Sequence, residues 1–231
     1  LIRATRVTKT FGEGALATPV LKGIDLAVEP GELVLLMGPS GSGKTTLLSV
    51  LAGLLRPTAG AVELCGHALT QMSEAQVARV RRENLGFVFQ SYNLFPALTA
   101  LDNVAEVLAL KGRPRREARE RAARALESVG LGHRLDFLPR DLSGGQKQRV
   151  AVARALAGDP ALVLGDEVTA ALDRESSEKV LEILRAQVSE RASVLLVTHD
   201  RRLERWADRV IDMEDGRVVR DERTALVGRT A

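Results

Sequence analysis

The tightest constraint on this chain lies between Gly31 and Gly53. An apolar run of strand length, Leu33-Val34-Leu35-Leu36-Met37, enters Gly38-Pro39-Ser40-Gly41-Ser42-Gly43-Lys44-Thr45-Thr46, and an apolar-periodic segment, Leu47 to Ala52, leaves it. A strand, a glycine-rich turn and a helix in that order are the context a phosphate-binding loop requires. The glycines let the backbone curl so that successive N–H groups face phosphate oxygens, and the helix starting near Lys44 adds the positive end of its dipole. In such a loop Lys44 reaches the β- and γ-phosphates as a point charge, and the Thr45 hydroxyl is a Mg²⁺ ligand. A ligand-free turn is the alternative. The agreement of all the fixed positions with both flanks argues against it.

A chain of 231 residues with 45% hydrophobic residues can bury a substantial core as one large domain, or a domain with a lobe. No apolar run approaches the roughly 20 residues needed to cross a bilayer, and no stretch at the start resembles a signal peptide, so a cytosolic location is expected. The single cysteine, Cys65, excludes an internal disulfide; with His67 beside it two ligands are too few for a metal site, and a small buried strand residue is expected there. The net charge of +3, from 33 Lys+Arg and 30 Asp+Glu spread along the chain, does not argue for nucleic acid.

Ile2 to Val7 and Gly23 to Val28 alternate well enough for half-buried strands, with Gly12-Glu13-Gly14 and Thr18-Pro19 read as loop. Phe11 falls in that loop, either stacking on a purine face or filling a core. Ala61 to Gly66 reads as a short strand, and Ser73 caps a helix leading to Gly86-Phe87-Val88-Phe89-Gln90. Gln90 then leaves the end of a buried strand, facing either a ligand crevice or solvent. Ser91 to Leu110 holds a proline-bearing turn and a helical stretch. Arg113 to Val129 is amphipathic, with six arginines against three glutamates and no interleaved aromatic, so it reads as a solvated helix face rather than a nucleic-acid patch.

Leu131 to Leu142 is expected to be loop. Ser143-Gly144-Gly145-Gln146 then opens an alanine-rich helix with free N–H groups and a hydroxyl, a second anion site. Its distance in sequence from Lys44 does not place it in the same site, so it suits a ligand held by another copy. Ala161-Leu162-Val163-Leu164-Gly165-Asp166-Glu167 is a buried strand ending in two carboxylates: Asp166 can orient Mg²⁺ through water, and Glu167 can accept a proton from an attacking water. Ser193-Val194-Leu195-Leu196-Val197-Thr198-His199-Asp200 is another, ending in His199. If these strands are parallel, the phosphate loop, Gln90, Asp166-Glu167 and His199 meet at one sheet edge.

These residues carry a family resemblance: the chain resembles the nucleotide-binding subunit of an ABC transporter. Gly38 to Thr45 is similar to the Walker A motif, Gln90 to the Q-loop glutamine, Leu142 to Gln146 to the LSGGQ signature and Leu162 to Asp166 with Glu167 to Walker B and its catalytic glutamate. Ala171-Leu172-Asp173 resembles the D-loop, His199 the switch histidine, and Phe11 the aromatic that stacks on adenine. Within the family the chain looks closest to the macrolide-exporter and lipoprotein-releasing type, with Phe11 to Leu16, Thr169 to Asp173 and Met213 to Gly216 resembling its heterocyst, glycolipid-exporting branch.

The resemblance implies an α/β fold: a P-loop NTPase, RecA-like core with a mainly parallel sheet, an N-terminal antiparallel β-subdomain and an α-helical subdomain. Residues 1–231 would form one nucleotide-binding domain, about 1–90 and 160–231 as catalytic core and about 91–159 as the helical subdomain. It implies ATP contacts at Phe11, Gly38, Pro39, Ser40, Gly41, Ser42, Gly43, Lys44, Thr45, Thr46, Ser143, Gly144, Gly145, Gln146 and Asp173. Mg²⁺ contacts are expected at Thr45, Gln90 and Asp166, and catalytic roles at Glu167, His199 and Gln90. Two copies would pair head to tail on binding ATP, peripheral on the inner face of the cell membrane. They would drive a separately encoded membrane permease, and through it a periplasmic adaptor, without nucleic acid.

The chain departs from the family at Val168, where proline is usual, and at Gly165, where a larger residue is usual; both are expected to loosen the aim of Glu167. The competing readings are an ABC pair relaying ATP-driven motion across the membrane, as in cell division, and a DNA-repair ABC ATPase, for which the Walker A to signature interval leaves no room. A small GTPase or kinase lacks an Asn-Lys-x-Asp motif here.

Overall fold

The computed structural model describes residues 1–170 and 172–224. In chain order the elements are β1 (Ile2–Phe11), β2 (Thr18–Val28), β3 (Leu33–Met37), α1 (Lys44–Leu51), β4 (Ala59–Leu64), β5 (His67–Ala68), α2 (Glu74–Asn84) and β6 (Leu85–Val88). There follow α3 (Ala100–Leu110), α4 (Arg115–Ser128), α5 (Gly144–Leu156), β7 (Leu162–Asp166), α6 (Arg174–Ala186), β8 (Ser193–Val197), β9 (Arg209–Glu214) and β10 (Arg217–Arg223). Two sheets form: an antiparallel one in the order β2-β1-β4-β5 and a six-stranded one in the order β10-β9-β3-β8-β7-β6. In the second, every pairing from β9 to β6 is parallel, and only the β9–β10 hairpin is antiparallel.

The continuous apolar runs of β3, β7 and β8 follow from burial on both faces, since alternate side chains enter opposite cores. Val34, Leu36, Leu162, Leu164, Leu195 and Val197 join α1 and the antiparallel sheet in one core. Leu33, Leu35, Val163, Val194 and Leu196 pack on the other face against Ala151 and Val152 of α5 and Val180, Leu181 and Leu184 of α6. Each large side chain buried in this way contributes about 1.5–3 kcal/mol. A third core joins α3, α4 and α5 through Val104, Leu108, Ala118, Ala122, Leu126, Val150 and Ala153. The helix α5 therefore serves two cores at once. On α4, Arg116 meets Glu120 at 2.9 Å, and Arg113, just ahead of the helix, meets Glu117 at 3.3 Å; both pairs lie on the solvated face the sequence predicts.

Several local expectations are corrected. The Thr18-Pro19 pair belongs to β2, with Pro19 opposite Thr10; β2 is an edge strand, where a residue lacking an N–H is tolerated. β1 likewise continues beyond Val7, so Phe11 ends a strand rather than sitting in a loop. Cys65 is not a strand residue. Cys65 (φ 48°) and Gly66 (φ 79°) form the two-residue turn joining β4 to β5, with Leu64 paired to His67, the geometry of a tight hairpin. The stretch expected as loop from Leu131 to Leu142 contains two short helical turns, Gly132–Arg134 and Pro139–Asp141.

Candidate active site

Parallel pairing places the carboxyl ends of β3, β8, β7 and β6 side by side, and the chain leaving each end carries one part of the site. A cleft of about 690 Å³ opens there, lined by Val20, Ser40, Gly41, Gly43, Lys44, Thr45, Thr46, Gln90, Glu167, Val197 and His199. Ser40, Gly41, Gly43 to Thr46, Gln90, Glu167 and His199, separated by up to 159 positions in sequence (199 − 40), therefore meet at one place. Of the expected site residues, Phe11, Ser143, Gly144, Gly145, Gln146 and Asp173 do not line this cleft; nor do Gly38, Pro39, Ser42 and Asp166, which instead contact its lining residues Lys44 and Thr45.

Within the loop, Gly38 is fixed by a close approach: a Cβ there would stand 2.0 Å from the Met213 carbonyl oxygen at the end of β9. Lys44 is 7% exposed, and its ammonium donates to the Gly38 and Pro39 carbonyls at 2.9 and 2.7 Å and to the Ser42 hydroxyl at 3.4 Å. Burial pushes its pKa below the ordinary lysine value, against the pull of Glu167 and Asp166. Thr45 Oγ1 donates to Asp166 Oδ1 at 3.2 Å, tying the start of α1 to the end of β7. Burial raises the Asp166 carboxyl above the usual range; the Thr45 hydrogen bond opposes this and the Glu167 charge adds to it. An adjoining hydroxyl and carboxylate, with the Gln90 amide in the same cleft, form an all-oxygen donor set that fits Mg²⁺. Among the described residues no group of three or more His, Cys, Asp or Glu could hold a metal by itself. That suits an ion bound chiefly by phosphate oxygens and water.

Glu167 is held in an unusual backbone conformation, φ 48°, and its N–H donates to the Val197 carbonyl at 3.0 Å across to β8. Its carboxylate Oε1 lies 2.8 Å from His199 Nδ1, so the strand-end carboxylate and the strand-end imidazole touch directly. With the proton on Nδ1 the imidazole donates to the carboxylate and fixes its direction. Both residues also border a neighbouring cavity of about 810 Å³, shared with Leu172 and with Arg174 and Arg205.

The expected loosening at Gly165 and Val168 is not what the structure contains. Val168 is 3% exposed and sits in the core between the sheet, α5 and α6. Its Cγ1 lies 2.6 Å from where a Cβ at Gly165 would stand, and Leu196 Cδ2 is equally close. The small residue in the strand and the branched residue after Glu167 fill one another's space.

Outside the cleft, Ser143 caps α5 in a closed box: its hydroxyl accepts from Gln146 N at 3.3 Å while Gln146 Oε1 accepts from Ser143 N at 2.9 Å. The Gly144 and Gly145 N–H groups remain at the open helix start. Gly145 abuts α6, since a Cβ there would stand 2.7 Å from Ser176 Oγ. Asp173 caps α6 and accepts from Ser176 N and Oγ, each at 2.9 Å; Ala171, expected in the same segment, lies outside the described residues. Phe11 is 43% exposed, which removes core packing as its role, and the Lys9 ammonium lies 5.1 Å from its ring centre. Sequence reasoning missed Val20, which lines the cleft from β2; an aliphatic residue in a strand carries no signal of such a place.

The sequence matches the family described as ABC transporter over residues 21–170, and the chain belongs to that family. It is an ATP-binding cassette with ATPase activity. It is 47% identical over 219 residues to a lipoprotein-releasing system ATP-binding protein, LolD, of Xanthomonas oryzae pv. oryzae, covering 94% of this chain and 90% of that protein. It is 46% identical to the macrolide export ATP-binding/permease protein MacB of Marinobacter nauticus, covering 96% of this chain but 34% of that longer relative. The fold superposes on the dimeric post-hydrolysis structure of an ATP-binding cassette bound to ADP and Pi, with a TM-score of 0.91, 39% identity and coverage of 99% of this chain and all of the other. Among the described residues no helix is long and apolar enough to cross a membrane.

Proposed function

We propose that two copies of this chain close head to tail over two ATP molecules and drive the extraction or export of a hydrophobic or membrane-associated substrate. The cleft of one copy and the Ser143–Gln146 helix start of the other would enclose each nucleotide. The observation that carries this reading is the division of parts: Lys44, Thr45, Gln90, Glu167 and His199 share one cleft, while Ser143 to Gln146 stand outside it as the start of a helix whose Gly144 and Gly145 N–H groups lie outside the Ser143–Gln146 capping box.

In this arrangement the 38–46 loop and Lys44 bind the triphosphate, and Phe11 offers an exposed ring to the base. Thr45, Asp166 and Gln90 would hold Mg²⁺, which when bound neutralises charge on the β- and γ-phosphates. Glu167 takes the proton of the attacking water, and His199 keeps that carboxylate aimed. Asp173 stands at the start of α6, where Gly145 of the same chain packs, so the D-loop and the signature move together.

The work is delivered to a membrane permease, with this chain on the cytoplasmic face of the membrane; a periplasmic partner reached through the permease completes the path. The names of the relatives, one releasing lipoproteins and one exporting macrolides, support an apolar cargo. A finer placement in the glycolipid-exporting branch rests on residues 11–16, 169–173 and 213–216 alone. The test is isolation of the tagged chain from membranes in mild detergent, followed by reconstitution in vesicles. A multi-span protein should accompany it, and ATP should release a lipidated peptide from the vesicles. Recovery of the chain without a membrane protein, or release that continues in Glu167→Gln, would overturn the reading.

A further inference from the structure

Arg154 lies in the last turn of α5 with 8% of its surface exposed, and the chemistry of the cleft does not use it. Burial pushes its pKa down from the ordinary arginine value, and among the described residues it forms no ion pair. Its guanidinium instead donates to two consecutive backbone carbonyls, Nη2 to Tyr92 at 2.8 Å and Nη1 to Asn93 at 2.5 Å. Both acceptor residues are left-handed, with φ of 62° and 47°. That conformation is tolerated by asparagine and sterically costly for tyrosine, so it persists only where the surroundings hold it.

The segment so held begins at Gln90, which lines the cleft two residues earlier. Tyr92 N donates to Phe89 O and Asn93 N to Ser91 O, closing the turn tightly around the glutamine. Further along, the fully buried Asn103 fixes the other end: its Oδ1 accepts from Phe95 N, and its Nδ2 donates to the Phe95, Leu98 and Thr99 carbonyls. Leu94, between the two anchors, packs against both the sheet core and the helical core. The strap from Gln90 to Thr99 is thus clamped to α5 and α3, with its Gln90 end in the cleft. At the opposite end of α5, about 17 Å away at 1.5 Å per residue, stands Ser143.

We infer that Arg154 is a positioning residue that couples Gln90 in one copy's cleft to the Ser143–Gln146 helix start, which closes over the nucleotide of the other copy. The inference rests on the head-to-tail arrangement proposed above. The fork of the guanidinium grips two carbonyls at once, so a shift of the Gln90 turn is passed to α5 as a movement of the whole helix rather than as a change of one side chain. Without the fork, α5 stays packed by its apolar faces, but its position no longer follows the state of the cleft.

Arg154→Met keeps the stem and removes the donors, and Arg154→Lys keeps the charge but offers a point donor in place of the fork. Calorimetry should find ATP affinity of the monomer within about two-fold of wild type in both, while kcat falls about ten-fold or more in Arg154→Met and recovers in part in Arg154→Lys. In the Glu167→Gln background, where ATP is bound without turnover, Arg154→Met should weaken the ATP-dependent dimer in sedimentation by a similar factor. Wild-type kcat and dimer affinity in Arg154→Met would overturn the coupling, as would ATP affinity falling in step with kcat in both variants, the mark of a purely structural residue. A Glu167→Gln chain that stays monomeric with ATP overturns the head-to-tail arrangement and the coupling with it; a dimer indifferent to Arg154 overturns the coupling alone.

Discussion

Val168 Cγ1 occupies the space that a side chain at Gly165 would need, 2.6 Å from its Cβ position, so these two departures from the family pattern are one packing solution. The Glu167 between them is left-handed, and a following proline would draw it toward extended geometry. Val168→Pro is therefore expected to lower the ATPase rate, the reverse of what the family pattern alone suggests. Gly165→Ala should destabilise the chain by about 1–3 kcal/mol through overpacking. Combined with Val168→Ala, which opens the space, it should cost less than the two changes added, with a coupling of about 0.5–3 kcal/mol. Urea unfolding of the four proteins measures this. Strict additivity would show that the two residues do not share the space.

Asp166 makes an opposite kind of contribution. Its folded pKa is raised by burial, so the folded state binds its proton more tightly than the unfolded chain does. The group therefore disfavours folding at neutral pH, and this cost disappears as pH falls through the raised folded value toward the ordinary aspartate value of 3.8. Asp166→Asn keeps an acceptor for Thr45 without the charge. It should raise the Tm of the nucleotide-free chain, by roughly 2–4 °C for each kcal/mol relieved, and abolish the extra stabilisation that Mg²⁺ adds to ATP. Scanning calorimetry with and without Mg²⁺-ATP checks both. A lower Tm in the variant would mean that the ionised carboxylate favours the fold.

Lys44 donates to the Gly38 and Pro39 carbonyls, which holds its ammonium inside the loop proposed to take the triphosphate. Lys44→Ala should lose one charge-assisted interaction of about 1.5–3 kcal/mol, a ten-fold to more than hundred-fold drop in ATP affinity by calorimetry. Because the ammonium is desolvated, the same change should leave the apo fold as stable or more stable. Wild-type affinity would remove Lys44 from the triphosphate.

The contact between Glu167 and His199 predicts how turnover fails. Glu167→Gln preserves a hydrogen bond to the imidazole through the amide oxygen but cannot take a proton, so ATP should remain bound while hydrolysis stops. His199→Ala should slow hydrolysis less, since the base survives with its aim broadened. Single-turnover rates separate the two, and equal residual rates would argue that the pair acts as one unit.

How much of this was legible before the structure depended on whether the determinant was local. The phosphate loop and the strand-end residues Gln90, Asp166, Glu167 and His199 could be found because each follows a continuous apolar run, and parallel pairing then brings such ends together. Pro19 misled because its tolerance depends on β2 lying at a sheet edge, which no local pattern records. The fit of Val168 into Gly165 is a contact across three residues that reads as two unrelated defects until the packing is seen. Arg154 has no sequence signal at all: its acceptors are backbone carbonyls 61 and 62 positions away, and any residue type supplies a carbonyl.

The head-to-tail arrangement can be tested by mixing two inactive chains. Lys44→Ala disables the cleft, and Ser143→Arg fills the helix start with a bulky cation and removes its cap, while lying outside the cleft of its own chain. Each variant alone should be nearly inactive. In a mixed dimer the Ser143→Arg subunit supplies an intact cleft and the Lys44→Ala subunit an intact helix start, so one site is whole and the other doubly broken. With random pairing and independent sites, an equal mixture should recover about a quarter of wild-type ATPase activity, half of the dimers carrying one good site of two. A helix start serving its own chain's cleft would leave both sites broken in every dimer, and the mixture would be as inactive as its components. Activity that appears only on mixing, and rises with the fraction of mixed dimer measured by native mass spectrometry, would assign Ser143 to the partner's nucleotide.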